Sequence, residues 1–351
     1  MTELTFSLRQ LRPQDGPAYA AVLANSPDTG AIGTAVRFEI DPYQALMSLH
    51  RDTVGVVAET PGFDGFVGSG LVRFGHCQWE GEVRSSALLN TLVVHPDYRR
   101  RGLASKLANW REEFARQRIA EGGVVWAIIQ RNNTGSERTA RKWAPQLLSS
   151  RLAVVPMKMR SGPPPRSRYF HVRPALRDDL DTVVEQLNRH YQDYNLYAPE
   201  TTSSLATWLD ETPFDSPFRH YRVVTNKAGS LLAGTGLSEN CRLRTTLITH
   251  LPLVLRVLNR AFNVVPTDGE LREIALSRIW YAPGQLGAAH HLLETMRWEW
   301  RARGTSLVLY ADVRSQLMRL LGVRERVGKE LVGIAVRAPL PCTEGRLFYY
   351  A

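Results

Sequence analysis

The sequence has little of what marks a secreted, metal-binding or membrane protein. Its three cysteines, Cys77, Cys241 and Cys342, have no spacing typical of a metal site or a redox pair, which indicates a reduced protein without a metal centre. No run approaches the roughly 18 to 20 apolar residues of a membrane helix, and the first ten residues lack the apolar segment of a signal peptide. We therefore expect a cytoplasmic protein that does not interact with membranes.

Lysine is also scarce. Only five of the 44 basic residues are lysines, and with 34 acidic residues the formal net charge is +10. An arginine bias is typical of a GC-rich genome, but a basic surface also suits a phosphorylated cofactor or RNA. Residues 1–160 and 161–351 each carry a net charge of +5, so the excess does not form a basic tail.

A proline-rich segment divides the chain into two parts that resemble each other. Three pairs of segments match in the same order: 6–9 with 170–173, 67–71 with 233–237, and 91–96 with 278–283. The difference in residue number between the matched segments rises from 166 in the second pair to 187 in the third. This increase places an insertion in the second copy, between Leu237 and Arg278. We therefore predict a tandem duplication, with domains at 1–160 and 170–351 and a linker at 161–169.

Each copy is predicted to be a mixed α+β domain, with a mostly antiparallel sheet flanked by helices. In the first copy the predicted strands are 5–8, 53–58, 66–74, 87–94 and 124–129, and the predicted helices pass through Tyr19, cover 104–120 and begin near Ser136.

The loop between strand 87–94 and helix 104–120 is the most informative segment. Backbone N–H groups at a helix N-terminus collect phosphate oxygens, Gly102 lets the main chain approach an anion without a Cβ, and the neighbouring arginines add positive charge. The pattern R-x-x-G-x-A, from Arg99 to Ala104 after Pro96, resembles the pyrophosphate-binding motif of GCN5-related N-acetyltransferases (GNAT). The resemblance covers most of residues 1–158, and the second copy is a degenerate relative.

The resemblance implies an acetyl-CoA or other acyl-CoA donor and direct transfer to an amine. The strand before the loop would separate from its neighbour, and its main chain would pair with the pantetheine. By position, the residues implied to bind the cofactor are Leu92, Val93, Val94, Arg99, Arg100, Arg101, Gly102, Leu103, Ala104, Ser105 and Asn133.

The usual acid and base of this family are missing from the first copy. The position of the general base holds Asn90, which accepts no proton at neutral pH, and a common tyrosine position falls on Ala140. Asn90 is nevertheless the candidate catalytic position. Substitutes would be His76, Glu80, Glu82 or a water chain, although each of these side chains is more typical of an ordinary surface.

The second copy departs from the family pattern in other ways. Its loop at 281–289 is two residues shorter between proline and glycine and contains no arginine, whereas residues 317–323 resemble the family's L-Y-E-K-x-G-F run, with Met318 in place of tyrosine. The insertion near 241–267 has no acidic residue and predicts a basic amphipathic helix after Pro252. The second copy would therefore shape the acceptor site or stabilise the first copy, without binding cofactor.

Three functional hypotheses stay open. The first is an N-acyltransferase that moves an acyl group from acyl-CoA to the amine of a small molecule. The second is an aminoacyl-tRNA-dependent transferase. The net charge and the basic insertion favour it, and it needs no acid to protonate a thiolate, because its leaving group would be a ribose hydroxyl. The third is a non-catalytic sensor or nucleic-acid-binding module on the same scaffold. The protein would be a monomer or a homodimer.

Overall fold

The computed structural model describes residues 5–26, 28–29, 33–250, 253, 266, 268–322, 325 and 329–350. The strands of the first part are β1 Ser7–Gln10, β2 Asp28–Thr29, β3 Gly33–Phe38, β4 Thr53–Glu59, β5 Gly68–Trp79, β6 Glu82–Val94, β7 Val124–Gln130 and β8 Gln146–Lys158. Those of the second part are β9 His171–Pro174, β10 Tyr194–Asn195, β11 Arg219–Thr225, β12 Leu231–Ser238, β13 Arg244–His250, β14 Glu270–Leu271, β15 Glu273–Tyr281, β16 Ser306–Asp312, β17 Glu330–Arg337 and β18 Leu347–Phe348.

Helices cover both parts of the sheet. They are α1 Gly16–Ala24, α2 Pro42–Leu49, α3 Leu103–Arg118, α4 Thr134–Ala140, α5 Leu180–His190, α6 Thr202–Asp210 and α7 Leu286–Glu299. Helix α5 shows why these segments are helical, since its buried Leu180, Val183, Val184 and Leu187 recur at helical spacing. Within the described residues, no helix is long and apolar enough to cross a membrane.

One 12-stranded sheet runs through the molecule in the order β1-β4-β5-β6-β7-β17-β8-β16-β15-β12-β11-β9. The five strands at one end match the five at the other: β6 and β7 are parallel, as are β15 and β16, and the remaining neighbours in each group are antiparallel. This arrangement confirms the predicted fold class of two tandem copies.

The two copies exchange their last strands. Strand β17, from the end of the chain, pairs with β7 of the first copy, and β8 of the first copy pairs with β16 of the second. Strands β17 and β8 also pair with each other, so the backbone hydrogen bonds continue without a break from one copy to the other. The sequence analysis did not predict this exchange.

The same ion pair recurs at the first strand of each copy. The Arg9 guanidinium donates to both carboxylate oxygens of Asp15, at 2.6 and 3.0 Å, and Arg173 donates to Asp179 at 2.5 and 2.9 Å. Each aspartate also accepts a main-chain N–H three residues before it. The matched pairs of residues in the sequence therefore have matched structural roles.

The insertion of the second copy packs against the first. Its strand β13 lies between β14 and β3 in a four-stranded sheet, β14-β13-β3-β2, and Arg37 of β3 forms an ion pair with Glu270 of β14 at 2.6 Å. The insertion thus begins with a strand that the sequence analysis did not predict. The predicted amphipathic helix after Pro252 falls almost entirely outside the described residues.

Candidate functional site

Strands β6 and β7 separate soon after they meet. Their parallel pairing covers only Ser86, Ala87 and Leu88 of β6, although β6 continues to Val94 and β7 to Gln130. Among the described residues, no strand pairs with β6 on the β7 side beyond Leu88, so main-chain groups of β6 that neither β5 nor a side chain occupies are available to a ligand. This is the separation that the resemblance implied.

A bulge in β6 marks the point of separation. The register between β5 and β6 shifts next to Thr91, which has a positive φ of 42°. Beneath it lies Arg111 of α3, a side chain only 4% exposed, which donates to the main-chain oxygen of Asn90 at 2.8 Å. Burial without an acidic partner lowers the pKa of Arg111 to about 10.

The loop after β6 carries exposed positive charge. Its Arg99 donates to the main-chain oxygen of Val94 at 3.1 Å, and the Arg101 guanidinium lies over the Tyr98 ring, 5.5 Å from the ring centroid. Gly102 precedes α3 with φ of 79°, a conformation that favours glycine, and its side-chain position faces open space. No side chain caps the first turn of α3, so its N–H groups remain available to an anion.

A cleft of about 510 Å³ lies between the end of β6, β3 and the start of α4, a volume within the usual range for ligand sites. Its lining residues are Leu23, Ser26, Thr34, Ala35 and Val36 from α1, the turn after it and β3; Thr91, Leu92, Val93, Val94, Arg99 and Ala104 from β6, the loop and α3; and Asn133, Gly135, Ser136 and Thr139 at α4.

The structure brings most of the predicted cofactor residues to this cleft. Leu92, Val93, Val94, Arg99, Ala104 and Asn133 line it. Arg100, Arg101 and Gly102 lie in the exposed loop beside it. Leu103 is buried in the core through its side chain, and Ser105 accepts a hydrogen bond from Lys142 Nζ at 2.8 Å. Lys142 adds a positive charge that the sequence analysis did not assign to the site.

Asn90 has a different environment from the cleft residues. It does not line the cleft, and its side-chain oxygen accepts the Thr91 N–H at 2.8 Å, which stabilises the bulge. Ala140 is buried at the end of α4 and brings no hydroxyl group. The role of Asn90 as a catalytic position therefore stays a prediction.

The three proposed substitutes for the base lie elsewhere. His76, Glu80 and Glu82 are at the hairpin that joins β5 to β6, at the opposite end of β6 from Thr91. The Glu80 carboxylate accepts from the Asn195 amide at 2.7 Å and from the Thr343 N–H at 3.2 Å, so it connects the hairpin to the second half of the chain. These side chains are too far away to act in the cleft.

Several residues of the site could not have been assigned from the R-x-x-G-x-A pattern. Ser26, Thr34 and Val36 reach the cleft through α1 and β3, and nothing in their sequence context indicates this. Arg111 did carry a signal, because it falls four residues after Leu107 on the apolar face of α3. A charge on that face predicts a buried polar contact.

The second copy has the strand separation but a different loop. Strands β15 and β16 pair only over Glu273, Ile274 and Ala275 of β15, as β6 and β7 do. Ile279, the counterpart of Leu92, is 3% exposed and packs in a large apolar cluster with Leu317 and Leu320. Apolar side chains therefore occupy the region that is open in the first copy.

Comparison with known families agrees with this geometry. Residues 39–144 match the model of a family described as Acetyltransferase (GNAT) family, and this range contains β6, the loop and α3. The first copy therefore contains a region that matches the GNAT family. Among curated protein sequences, none matches the chain.

Solved GNAT and related structures share the fold over nearly the whole chain. A GCN5-related N-acetyltransferase from Sphaerobacter thermophilus has a TM-score of 0.61 at 15% identity, with 96% of this chain and 97% of that chain covered. A Saccharomyces cerevisiae N-myristoyltransferase with bound myristoyl-CoA and inhibitors gives 0.64 at 11% identity, covering 96% and 80%.

A third structure shares the tandem arrangement. The tandem GNAT protein from the clavulanic acid biosynthesis pathway gives a TM-score of 0.58 at 13% identity, with 97% of this chain and all of that chain covered. At such identities the likeness establishes the fold alone. Together, the family match and these neighbours support the prediction of an enzyme with the fold of the N-acyltransferases.

Proposed function

We propose that the protein transfers an acyl group from acyl-CoA to the amine of a small molecule, with the donor bound in the first copy. The observation that carries this proposal is the continuity of the site. The cleft along Leu92, Val93 and Val94 adjoins the exposed arginines and the uncapped N-terminus of α3. With its diphosphate at the loop, CoA would extend its pantetheine along β6 towards Thr91.

The proposed reaction is direct. The lone pair of the amine attacks the thioester carbon, a C–N bond forms, the C–S bond breaks, and CoA leaves as a thiolate that takes up a proton. No described residue that lines the cleft is Asp, Glu or His. We therefore propose that the amine loses its proton to water, so that the rate rises with pH until the free amine predominates.

The proposal is tested by CoA binding to matched glycine variants. Gly102→Glu places a carboxylate beside the diphosphate, and one unit charge at about 5 Å is worth on the order of 3 kcal/mol, or a hundredfold in affinity. Gly287 lies exposed in the first turn of α7, where glutamate suits the helix dipole. Gly287→Glu should therefore leave CoA affinity unchanged.

Gly102→Ala separates charge from backbone strain, since it adds a Cβ at the positive φ without a charge. We expect a small loss of CoA affinity from Gly102→Ala and a large one from Gly102→Glu, measured by calorimetry. Equal losses from Gly102→Glu and Gly287→Glu would contradict the assignment of the donor to the first copy. The tRNA-dependent reaction would be favoured if the wild-type protein does not bind CoA but changes the electrophoretic mobility of aminoacyl-tRNA, with an affinity that falls as the salt concentration rises.

A further inference from the structure

A second cavity, of about 320 Å³, lies where the two copies exchange strands. This seam cavity is bounded by the end of β7, by Glu137 and Arg141 at α4, by residues 147–150 of β8, and by Gly333 and Ile334 of β17. None of the residues that line it also lines the cleft of the first copy. The seam cavity and the cleft are therefore distinct within the part of the chain that the structure describes.

Helix α4 separates the seam cavity from the cleft. Glu137 and Arg141, four residues apart, share one face of the helix and line the seam cavity. Ser136 and Thr139, three residues apart, share another face and line the cleft. With about 3.6 residues per turn, these two faces are roughly opposite. A ligand in the seam cavity would therefore lie behind the helix that forms one wall of the proposed donor site.

Two arginines line the seam cavity without an acidic partner. Among the described residues, no hydrogen bond or ion pair involves the side chain of Arg131 or Arg141, and both residues are exposed, so an anion can reach them from solvent. The half-buried Glu137 has no partner there either. The described lining thus carries two positive charges and one negative charge, and guanidinium groups bind carboxylates and phosphates through paired hydrogen bonds.

A bulge in β8 brings further polar groups to the seam cavity. Between Leu152 and Leu148, three residues of β8 lie opposite Gly333 alone on β17. Ser150 in this bulge has a positive φ of 53°, which is uncommon for serine. Ser149 and Ser150 pair with neither neighbouring strand in the described registers, and both line the cavity. Their hydroxyl groups are therefore available to a ligand.

The end of β7 contributes amide and apolar groups. Gln130 and Asn132 line the seam cavity, and neither side chain makes a hydrogen bond to another group in the described structure. Ile129 and Ile334 also line it and are only 7% and 1% exposed. Apolar groups with a few unpaired polar side chains around them are typical of a site for a small molecule.

We propose that the seam cavity binds a small molecule that carries a carboxylate or phosphate group on an apolar body. Arg131 and Arg141 supply the positive charge that attracts the anionic group. The hydroxyl groups of Ser149 and Ser150 donate hydrogen bonds to it, and Ile129 contacts the apolar part. This site goes beyond the proposed function, because it shares no lining residue with the cleft that would hold the acyl donor.

The experiment uses matched probes that differ in charge. Calorimetric titrations of the wild-type protein with benzoate, phenylphosphonate and neutral benzamide, at low ionic strength to limit screening, compare two anions with a neutral analogue. We expect benzoate or phenylphosphonate to bind at least tenfold more tightly than benzamide, and the preferred anion distinguishes a carboxylate site from a phosphate site. Because the two cavities are distinct, this preference should persist when CoA is present at saturating concentration.

Three variants place the anion in the seam cavity. Arg131→Gln and Arg141→Gln each remove one positive charge from the lining and should weaken binding of the anion at least fivefold, without changing the affinity for benzamide. Arg138→Gln is the control, because Arg138 is exposed on the same helix but lines neither cavity. All three residues are exposed, so we expect unchanged unfolding midpoints, which thermal denaturation checks.

Four results would overturn the proposal. They are no binding of either anion by wild type, equal binding of the anions and benzamide, loss of anion binding when CoA is added, and equal effects of Arg138→Gln and the two cavity variants. Failure of the proposed function gives a different result. If CoA does not bind, Arg131→Gln and Arg141→Gln still test the seam cavity, whereas CoA binding without anion binding removes the seam site and leaves the donor site standing.

Discussion

Thr91 and Arg278 occupy matching positions in the two copies, and both have a left-handed backbone, with φ of 42° and 52°. Each lies where the strand register is irregular, between β5 and β6 and between β12 and β15. Neither threonine nor arginine favours this conformation. The bulge has therefore been retained in both copies although the residues differ, which indicates that the surrounding packing determines it.

Gly70 provides a test of that packing. A Cβ at this position would lie 2.7 Å from Arg111 Cδ, so Gly70→Ala should displace Arg111 and destabilise the protein by about 1–3 kcal/mol. Gly75→Ala, on the same strand with open space around it, is the control and should have little effect. Chemical denaturation measures both, and equal stability of the two variants would contradict the close contact.

Arg111 is expected to matter for stability as well as for the shape of the site. Arg111→Ala leaves a cavity and removes the donor to the Asn90 oxygen, at a cost of about 3 kcal/mol. Arg116→Ala, on the exposed side of the same helix, removes only a 3.8 Å pair with Glu112 and should cost less than about 0.5 kcal/mol. Similar unfolding midpoints for the two would show that Arg111 is dispensable.

Asp15→Asn and Asp179→Asn should have similar effects because their ion pairs are equivalent. Hydrogen bonds from Arg9 and Arg173 hold the pKa of each carboxyl below its usual value. Each pair therefore stabilises the fold above the ordinary carboxyl pKa, and this contribution is lost as the pH falls through the lowered value. We expect each variant to lose about 1–2 kcal/mol at pH 7 and to show a weaker loss on acidification than wild type.

Strand exchange predicts that the copies depend on each other. A fragment of residues 1–160 lacks β16 and β17, so β7 loses its neighbour on one side and β8 loses its neighbours on both sides, which leaves three unpaired strand edges. We expect residues 1–160 and 170–351 to be aggregation-prone when made separately and to form a cooperatively melting complex when made together. A fragment 1–160 that melts cooperatively by itself would show that β17 is not needed.

Local sequence determined much of the first copy. The apolar spacing of α3 and the strand before it are local properties, and Leu103 and Leu107 are buried at the predicted helical spacing, with Gly102 at the turn before the helix. The duplication could also be predicted, because conserved pairs such as Arg9 with Asp15 are short-range contacts that recur in the second copy.

The tertiary structure decided which strands pair and which distant residues come into contact, and no local sequence pattern predicts these features. Strands β8 and β17 are ordinary apolar strands by sequence, and their exchange depends on which sheet edge each one meets. In the same way, Arg37 and Glu270 are 233 residues apart and form an ion pair only because the insertion of the second copy packs against β3. Local propensity acts over a few residues, whereas contacts between residues far apart in the sequence depend on how distant strands pack together.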